Sequence, residues 1–406
     1  MARRPYRSLP SDAGVDRRLF LKSLGVASAA VTGGVVLGVP SDAEEIPKPT
    51  PPTEVETNLA DFLKVPRGPH AIPGPFPGRV VRLSNKKCLK DDKVDPAIVA
   101  EMVEAGICRL TGKRLRKSFD LLFTKSDIVG IKVNHVGSPL ISTKPELVQA
   151  VVSWLERCGL PRRNIVIWDR FDDMLKEAGF TPQRFPGVQI EAMQTIAEEG
   201  KTWKNEKGEH VSAQNFDLGA YYYAKGVLGK SVPGYGSDDA YMNQHVFDGE
   251  YSYFGRLVTQ KLTKIINLPV FKNTGNGISI ATKNLGYGVT CNTGRLHQPL
   301  FFRVCTEVVA APWVRDKLVL NIVDGIRGQY DGGPMGNEQF QYPHHTLYFA
   351  TDPFALDAVC HGEMVAKRKA MGVKVNEAPR FTDYLRQAEK LGLGVVDPAK
   401  IEVVRA

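Results

Sequence analysis

The sequence lacks the clustered cysteines and histidines that hold most bound metals. Its six cysteines are scattered along 406 residues, without a C-x₂-C pair of the kind that binds zinc or an iron–sulfur cluster. None of the eight histidines forms a ligand pattern. We therefore expect no iron–sulfur cluster and mostly buried thiols, and a redox carrier is the weakest functional hypothesis. The pattern leaves open which other cofactor or metal, if any, is bound.

The chain also lacks basic runs and long apolar segments. Its formal net charge is +9, of which residues 1–43 contribute +3 through six Arg or Lys and three Asp. The remaining charge is spread without the basic stripes and interleaved aromatics of nucleic-acid-binding proteins, so it suits a small anionic partner better. The most apolar stretch, within residues 16–38, is short and glycine-rich for a membrane-spanning helix.

Residues 1–43 have the order of an export signal. The segment "RRLFLK" at positions 17–22 precedes a weakly apolar stretch and the small-residue end "SDA" at 41–43. It resembles the twin-arginine signal, whose receptor recognises the arginine pair. We expect export by the twin-arginine machinery to the periplasm or cell envelope, with no stable membrane span after cleavage. An uncleaved N-terminal anchor is the alternative.

The composition then changes twice along the chain. Residues 44–78 contain nine prolines and predict an extended linker, the last part of which lies along the domain surface. From residue 79 to 406 the composition is globular. Within this part, residues 185–260 carry seven tyrosines and break the regular pattern, which predicts a Tyr-rich insertion. A lid, an interaction surface and an ordinary excursion with its own small core are equally compatible with it.

Continuous apolar runs separated by helical patterns predict the fold class. The runs have the character of strands buried on both faces, at residues 127–134, 164–169, 264–270, 317–324 and 346–351. One intervening helical pattern opens with Thr143 as N-cap and Glu146 as its capping-box partner. Two others open with an Asp-Pro pair, at Asp95 and Asp352, and end at a glycine. This alternation predicts an α/β fold with a mostly parallel, doubly wound type of sheet and helices on both faces.

Polar side chains follow the predicted strands at the carboxyl edge, where such sheets bind ligands. Lys132 and Asn134 share one face of the first strand. A glycine-containing stretch, "KNTGNGISIATKN" at 272–284, follows the third strand and predicts a flexible loop whose free N–H groups cradle an anion. The candidates are Lys132, Asn134, Lys272, Asn273, Lys283 and Asn284 for ligand binding, and Asp169, Asp324 and His297 for catalysis. Either Asp169 or Asp324 could bind a metal or act as a general base.

Several of these candidates also have structural explanations. Asp324 precedes a glycine, which is a common turn pair, and Asp352 is expected to cap the helix that starts at the next residue. A hydrogen bond to a loop would explain Asp357. We interpret His135 as a structural histidine, whereas His297 is the better candidate for the site because it follows the Lys-Asn loop.

Three ordered blocks resemble the domain-of-unknown-function family numbered 362. They are "IVGIKVNHVG" with the helix and strand after it, "INLPVFKNTGNGISIATKNLGYGV", and "LNIVDGIRGQYDGGPMG" followed by "YFATDPFALDAV". The resemblance spans about 79–404 and implies the fold more than an activity. Some relatives carry a ferredoxin-like cysteine cluster, which this chain lacks. Relatives commonly have Lys-x-His after the third strand, where this chain has Lys272-Asn273-Thr274.

The leading functional hypothesis is an exported enzyme that acts on a small carboxylate or phosphate substrate. In it, the lysines hold negative charge, Asn134 and Asn284 orient the ligand, and Asp169 or Asp324 moves protons or binds a metal. A cofactor loaded before export is compatible with this hypothesis. The alternative is a non-catalytic periplasmic or surface binding protein that uses the same pocket.

Overall fold

A computed structural model of the protein describes residues 55–194, 215–228, 249–297 and 299–405. The predicted export signal, the first part of the proline-rich segment, Tyr235 and Tyr241 lie outside these residues. Across the described ranges, the helices are too short or too polar to cross a bilayer.

The strands of the described residues build one large sheet and two small ones. Their bounds are β1 Arg79–Ser84, β2 Leu89–Lys90, β3 Lys93–Val94, β4 Val129–Lys132, β5 Ile165–Phe171, β6 Gln189–Gln194, β7 Phe216–Tyr223, β8 Tyr251–Gly255, β9 Lys264–Asn267, β10 Val270–Thr274, β11 Gly277–Ile278, β12 Leu318–Gln329, β13 Gln341–Ala350 and β14 Glu402–Arg405. The large sheet has the order β14-β1-β13-β12-β9-β4-β5-β6, and β10 pairs with both β11 and β12.

The helices of these residues are short to medium in length. Their bounds are α1 Leu59–Lys64, α2 Pro96–Thr111, α3 Leu115–Leu122, α4 Pro145–Arg157, α5 Asp172–Glu177, α6 Ala281–Gly286, α7 Arg303–Glu307, α8 Pro312–Arg315, α9 Pro353–Ala370 and α10 Asp383–Lys390.

The α/β prediction is confirmed, and all five predicted strands are present. Neighbouring strands from β12 through β9, β4 and β5 to β6 pair in parallel, while β13 runs antiparallel to both β1 and β12. Successive residues of β5 enter different cores: Ile165 and Ile167 pack with α2 and α4, whereas Val166 and Trp168 pack on the opposite side. The sheet is therefore covered on both faces.

Two of the predicted helix starts are confirmed. The Asp95 carboxylate accepts hydrogen bonds from the first turn of α2, and the Asp352 carboxylate does the same for α9. Gly112 ends α2 with a φ of 67°. Asp352 is thus a structural cap, as its position before Pro353 predicted.

The predicted capping box of α4 is wrong. The Thr143 hydroxyl donates to the Leu268 carbonyl and accepts from the Asn134 amide instead of capping the helix. The Lys144 amide at the start of α4 donates to Asp324 at 2.7 Å. The Thr143 hydroxyl is occupied by Leu268 and Asn134, so the Asp324 carboxylate of β12 caps the helix in its place.

The second half of the proline-rich segment packs on the domain. Phe62 and Ile72 are buried there. The buried Arg315 guanidinium donates to the carbonyls of Phe62, Val65 and Pro66 at 3.1–3.2 Å. Arg315 is thus one of the residues that hold residues 55–78 along the domain surface, together with Asp352, which accepts from the Gly78 amide.

Within residues 185–260, β6 joins the large sheet, and β7 pairs with β8 in a two-stranded ribbon that carries the described tyrosines. Its inner face is buried, and the Tyr222 hydroxyl donates to Glu307 at 2.6 Å. Its outer face carries Tyr221 and Tyr251, whose ring centroids lie 5.1 Å apart. The ribbon thus adds to the core on one face of the large sheet.

Two interior helix glycines provide a matched test of this packing. A Cβ at Gly106 in α2 would lie 2.2 Å from the Phe349 ring of β13, whereas one at Gly362 in α9 would meet nothing within 4 Å. We expect Gly106→Ala to destabilise the protein by about 1–3 kcal/mol through overpacking. Gly362→Ala should instead stabilise it by about 0.5–1 kcal/mol. Urea unfolding measures both, and equal effects would contradict the close approach of α2 to β13.

Candidate active site at the carboxyl edge of the sheet

A buried lysine at the end of β4 is the centre of the candidate site. The Lys132 ammonium donates to Asp169 Oδ1 at 2.5 Å, to the Val133 carbonyl at 2.8 Å and to Asn284 Oδ1 at 3.2 Å. A lysine ammonium has three N–H donors, so all of them are satisfied. Strands β4 and β5 and helix α6 thereby meet at one cation.

A second lysine joins this cluster from β10. The Lys272 ammonium donates to Asn134 Oδ1 at 2.9 Å and also to the Val136 carbonyl. Asn134 Nδ2 in turn donates to Asn284 Oδ1 at 3.0 Å. The structure therefore brings Lys132, Asn134, Lys272, Asn284 and Asp169 together, although they come from both halves of the chain.

A row of buried amides extends the cluster beneath the sheet edge. Asn284 Nδ2 donates to Asn267 Oδ1 at 2.8 Å, and Asn267 Nδ2 donates to Asn321 Oδ1 at 2.9 Å. Neither Asn267 nor Asn321 was among the sequence candidates. Each is a polar residue that follows apolar residues in a strand, in "KIIN" and "LVLN". A buried polar residue needs a hydrogen-bond partner, so these two asparagines were the signal in the sequence.

Asp169 is held as a carboxylate. It accepts hydrogen bonds from the backbone amides of His135 at 3.1 Å and Arg170 at 2.8 Å, besides the one from Lys132. Burial acts to raise the pKa of Asp169, but the neighbouring His135 and Lys132 and these hydrogen bonds outweigh it and hold the pKa below its usual value. Burial also lowers the pKa of Lys132, and Asp169 opposes this. The 2.5 Å contact and the two amide donors on Asp169 favour the ammonium–carboxylate form of the pair.

Lys272 and Lys283 are cations without a carboxylate partner in the described chain. Burial first, and the charge of Lys283 second, lower the pKa of Lys272 to about 7. The Lys283 ammonium lies 4.6 Å from the ring centroid of Tyr287 and 5.5 Å from that of Phe301. Burial lowers the pKa of Lys283 as well. This edge therefore carries a surplus of positive charge.

The predicted flexible anion-cradling loop is wrong. Residues 270–278 form a tight hairpin of β10 and β11, and residues 281–286 form α6. The backbone amides are already used: those of Ala281 and Thr282 donate to the Asp357 carboxylate at 2.8 and 3.1 Å. Asp357 thus anchors the start of the helix that carries Lys283 and Asn284. The hydrogen bond predicted for Asp357 is therefore present, but its partner is the start of α6 and not a loop.

Asp324 lies away from the lysine cluster. Its carboxylate accepts from the amides of Lys144 at 2.7 Å and Ile326 at 3.1 Å. Burial raises its pKa to about 6. Within the described residues no hydrogen bond or ion pair joins it to Lys132 or Lys272, and its hydrogen bond to Lys144 holds the start of α4. Its role in proton transfer or metal binding stays a prediction.

Asn273 also points away from the cluster, because successive strand residues face opposite ways. Its amide accepts from the Gly333 backbone at 2.9 Å and donates to the Gly275 carbonyl at 3.0 Å. These contacts close a loop near β12. The ligand-binding role predicted for Asn273 is not supported by this position.

His297 lies in the aromatic group that surrounds Lys283. Its ring centroid is 4.7 Å from that of Tyr287, and its Nδ1 is 3.1 Å from the Thr293 carbonyl. Burial, with help from the charge of Lys283, lowers the pKa of His297 to about 3. It is therefore a neutral neighbour of Lys283.

Comparison with known proteins supports the family resemblance over part of the chain. Residues 242–361 match the family model described as Domain of unknown function (DUF362). This match contains Lys272, Lys283 and Asn284, whereas Lys132 and Asp169 precede it. A search of curated proteins gave no match. The sequence resemblance is thus confirmed for this segment, and its description assigns no activity.

The buried lysine predicts a pH-dependent stability. The pKa of Lys272 lies near 7 in the folded protein against 10.5 for an ordinary lysine, so the unfolded chain takes up the proton first as pH falls. The stability of wild type relative to Lys272→Met should therefore rise between pH 7 and 10, by at most about 1.4 kcal/mol per pH unit. Below pH 7 the difference should stay constant.

Urea unfolding at several pH values measures this difference. The exposed Lys374 provides the control, because Lys374→Met removes a lysine without changing the cluster. Parallel stability curves for wild type and Lys272→Met would show that burial of Lys272 does not perturb its titration.

Proposed function

We propose that the protein is an enzyme that binds a small molecule with a carboxylate or phosphate group beside Lys272 and Lys283. One observation carries this proposal. In the described chain neither lysine has a carboxylate partner: Lys272 donates to the neutral oxygens of Asn134 and Val136, and Lys283 lies over the rings of Tyr287 and Phe301. The charge of Lys283 also adds to burial in lowering the pKa of Lys272. Low-dielectric surroundings strengthen such repulsion. A bound anion would relieve it for both groups.

The neighbouring groups suit such a ligand. The charges of Lys132 and Asp169 cancel in their ion pair, so the pair can orient neighbouring side chains without adding net charge to the site. Asn134 and Asn284 connect this pair to Lys272 through side-chain hydrogen bonds. These contacts hold the Lys272 ammonium in a defined place, which is what catalysis by orientation requires.

Lys272 is the residue that would move a proton. A pKa near 7 lets its amine exchange a proton at neutral pH, the condition for efficient general acid–base catalysis. In the described ranges no three His, Cys, Asp or Glu side chains come together as a metal site. Lys272 and Lys283 hold the substrate charge, because both are lysines at this edge without a carboxylate partner in the described chain.

A non-catalytic binding protein is the second candidate. It is favoured by the bonding of Asp169, whose oxygens are engaged by Lys132 and two backbone amides and so are poorly placed to act as a base. Binding of carboxylates or phosphates without conversion of any of them, followed by NMR over long incubation, would favour this candidate. Turnover of a bound compound would exclude it.

Anion binding should depend on the two unpaired lysines. We expect inorganic phosphate or acetate to bind wild type, and Lys272→Met or Lys283→Met to weaken binding at least about tenfold, because each removes a charge-assisted contact. Methionine keeps most of the aliphatic volume. Binding to wild type should also weaken as the pH rises past the Lys272 pKa of about 7. Isothermal titration calorimetry measures both effects.

Lys317 provides the matched control for this experiment. Lys317 is partly buried, and burial lowers its pKa to about 8. It directly precedes β12, and its ammonium donates to the Val258 carbonyl instead of joining the lysine cluster. Lys317→Met should bind phosphate as wild type does. Equal losses in all three variants would mean that binding follows general stability, and unchanged binding in Lys272→Met and Lys283→Met would refute the site.

We further propose that the twin-arginine machinery exports the protein. The support is the sequence order at Arg17 and Arg18, because the guanidinium pair is what the receptor recognises. Replacing both arginines with lysine keeps the charge but should leave the protein in the cytoplasm. Cell fractionation measures this, with Arg3→Lys/Arg4→Lys as the control. Undiminished export of the Arg17/Arg18 variant by that route would contradict the proposal.

A further inference from the structure

His135 is buried beside the cluster with both ring nitrogens unpaired. Its side chain is 2% exposed, and within the described chain neither Nδ1 nor Nε2 has a hydrogen-bond partner. Buried polar groups in proteins are almost always hydrogen-bonded, so an unpaired imidazole contradicts the structural role expected from the sequence. It indicates a group whose partner is a ligand.

The position of His135 places it inside the candidate site. Its backbone amide donates to Asp169 Oδ2 at 3.1 Å, and its Nε2 lies 3.6 Å from the same oxygen. The residues on either side of it in sequence, Asn134 and Val136, both accept hydrogen bonds from Lys272. The imidazole is thus tied to the carboxylate and to the cation of the site through its own backbone.

The surrounding charges determine the state of the ring. Burial lowers the pKa of His135 to about 4, and although Asp169 opposes this, Lys132, Lys272 and Arg170 reinforce it. The ring is therefore neutral at neutral pH, with one N–H and one lone pair. Because Nε2 lies near the Asp169 carboxylate, the proton is placed on Nε2, and Nδ1 keeps the lone pair.

We propose that His135 Nδ1 accepts a hydrogen bond from a hydroxyl group that lies next to the anionic group of the ligand. Lys272 and Lys283 bind the anionic group, and His135 recognises the hydroxyl group through this hydrogen bond. An ammonium group would be the other possible donor, but the surplus of positive charge at this edge disfavours it. The ligand class is therefore a small hydroxy-carboxylate or a hydroxylated phosphate, and this assignment depends on the proposed anion site.

Acetate and glycolate, which differ by one hydroxyl, test the assignment as a matched pair. We expect wild type to bind glycolate about tenfold more tightly than acetate, the effect of one well-placed hydrogen bond. His135→Phe keeps a planar ring without the lone pair. It should bind the two acids within about twofold of each other.

Calorimetry separates this inference from the anion site itself. If acetate and phosphate bind wild type but glycolate has no advantage, or His135→Phe keeps the advantage, the role of His135 is refuted while the anion site stands. If no anion binds wild type, the anion site and this inference both fail.

A measurement on wild type covers the case in which His135→Phe does not fold. With ¹⁵N-labelled histidine, the Nδ1 resonance of His135 should have the shift of an unprotonated nitrogen and should move on addition of glycolate but not of acetate. A protonated Nδ1, or a resonance that responds equally to both acids, would overturn the proposal.

Discussion

The buried ion pair of Lys132 with Asp169 is the contact on which the rest of the site depends. Taking two charges out of water costs several kcal/mol per ion, and the attraction between them offsets this only if the remaining donors and acceptors are also satisfied. Here the Val133 carbonyl and Asn284 complete the ammonium, and two backbone amides complete the carboxylate. Any displacement of α6 would leave a buried donor unpaired.

This requirement extends to residues with no polar role. The chain after α6 passes so close to Lys132 that a Cβ at Gly288 would lie 2.6 Å from Lys132 Cε. Asp357 of α9 holds the opposite end of α6 through the amides of Ala281 and Thr282. The helix that carries Lys283 and Asn284 is thus fixed at one end by a carboxylate and at the other by close packing. That rigidity suits a site whose charges must not rearrange.

The sequence predicted the sheet well because its strands are continuous apolar runs, a local signal that both faces of the sheet require. The sequence predicts a helix cap correctly where the capping residue directly precedes the helix, as Asp95 does for α2. It does not predict the cap of α4, because the Lys144 amide there donates to Asp324, a residue distant in sequence. The stretch 272–284 was misread as a flexible loop. Its small residues allow close packing of a hairpin and a helix, and composition alone does not distinguish these two uses.

The sequence also predicted that Lys132, Asp169 and Lys272 lie at the carboxyl edge, but it did not predict that Asp324 lies apart from them or that Lys132 pairs with Asp169. Lys132 meets Asp169 across 37 residues and Asn284 across 152, and distances of that kind depend on the register of the whole sheet. Apart from that pair, Lys272 and Lys283 are buried lysines without a carboxylate partner in the described chain, and keeping either one protonated there costs free energy. Globular domains are stable by only about 5–15 kcal/mol, and departures from good packing and pairing concentrate at functional sites. In the described chain, two lysines without a carboxylate partner and a histidine ring without a hydrogen-bond partner lie near one sheet edge, and the fold itself does not require any of the three. The proposed ligand would supply the interactions that they lack.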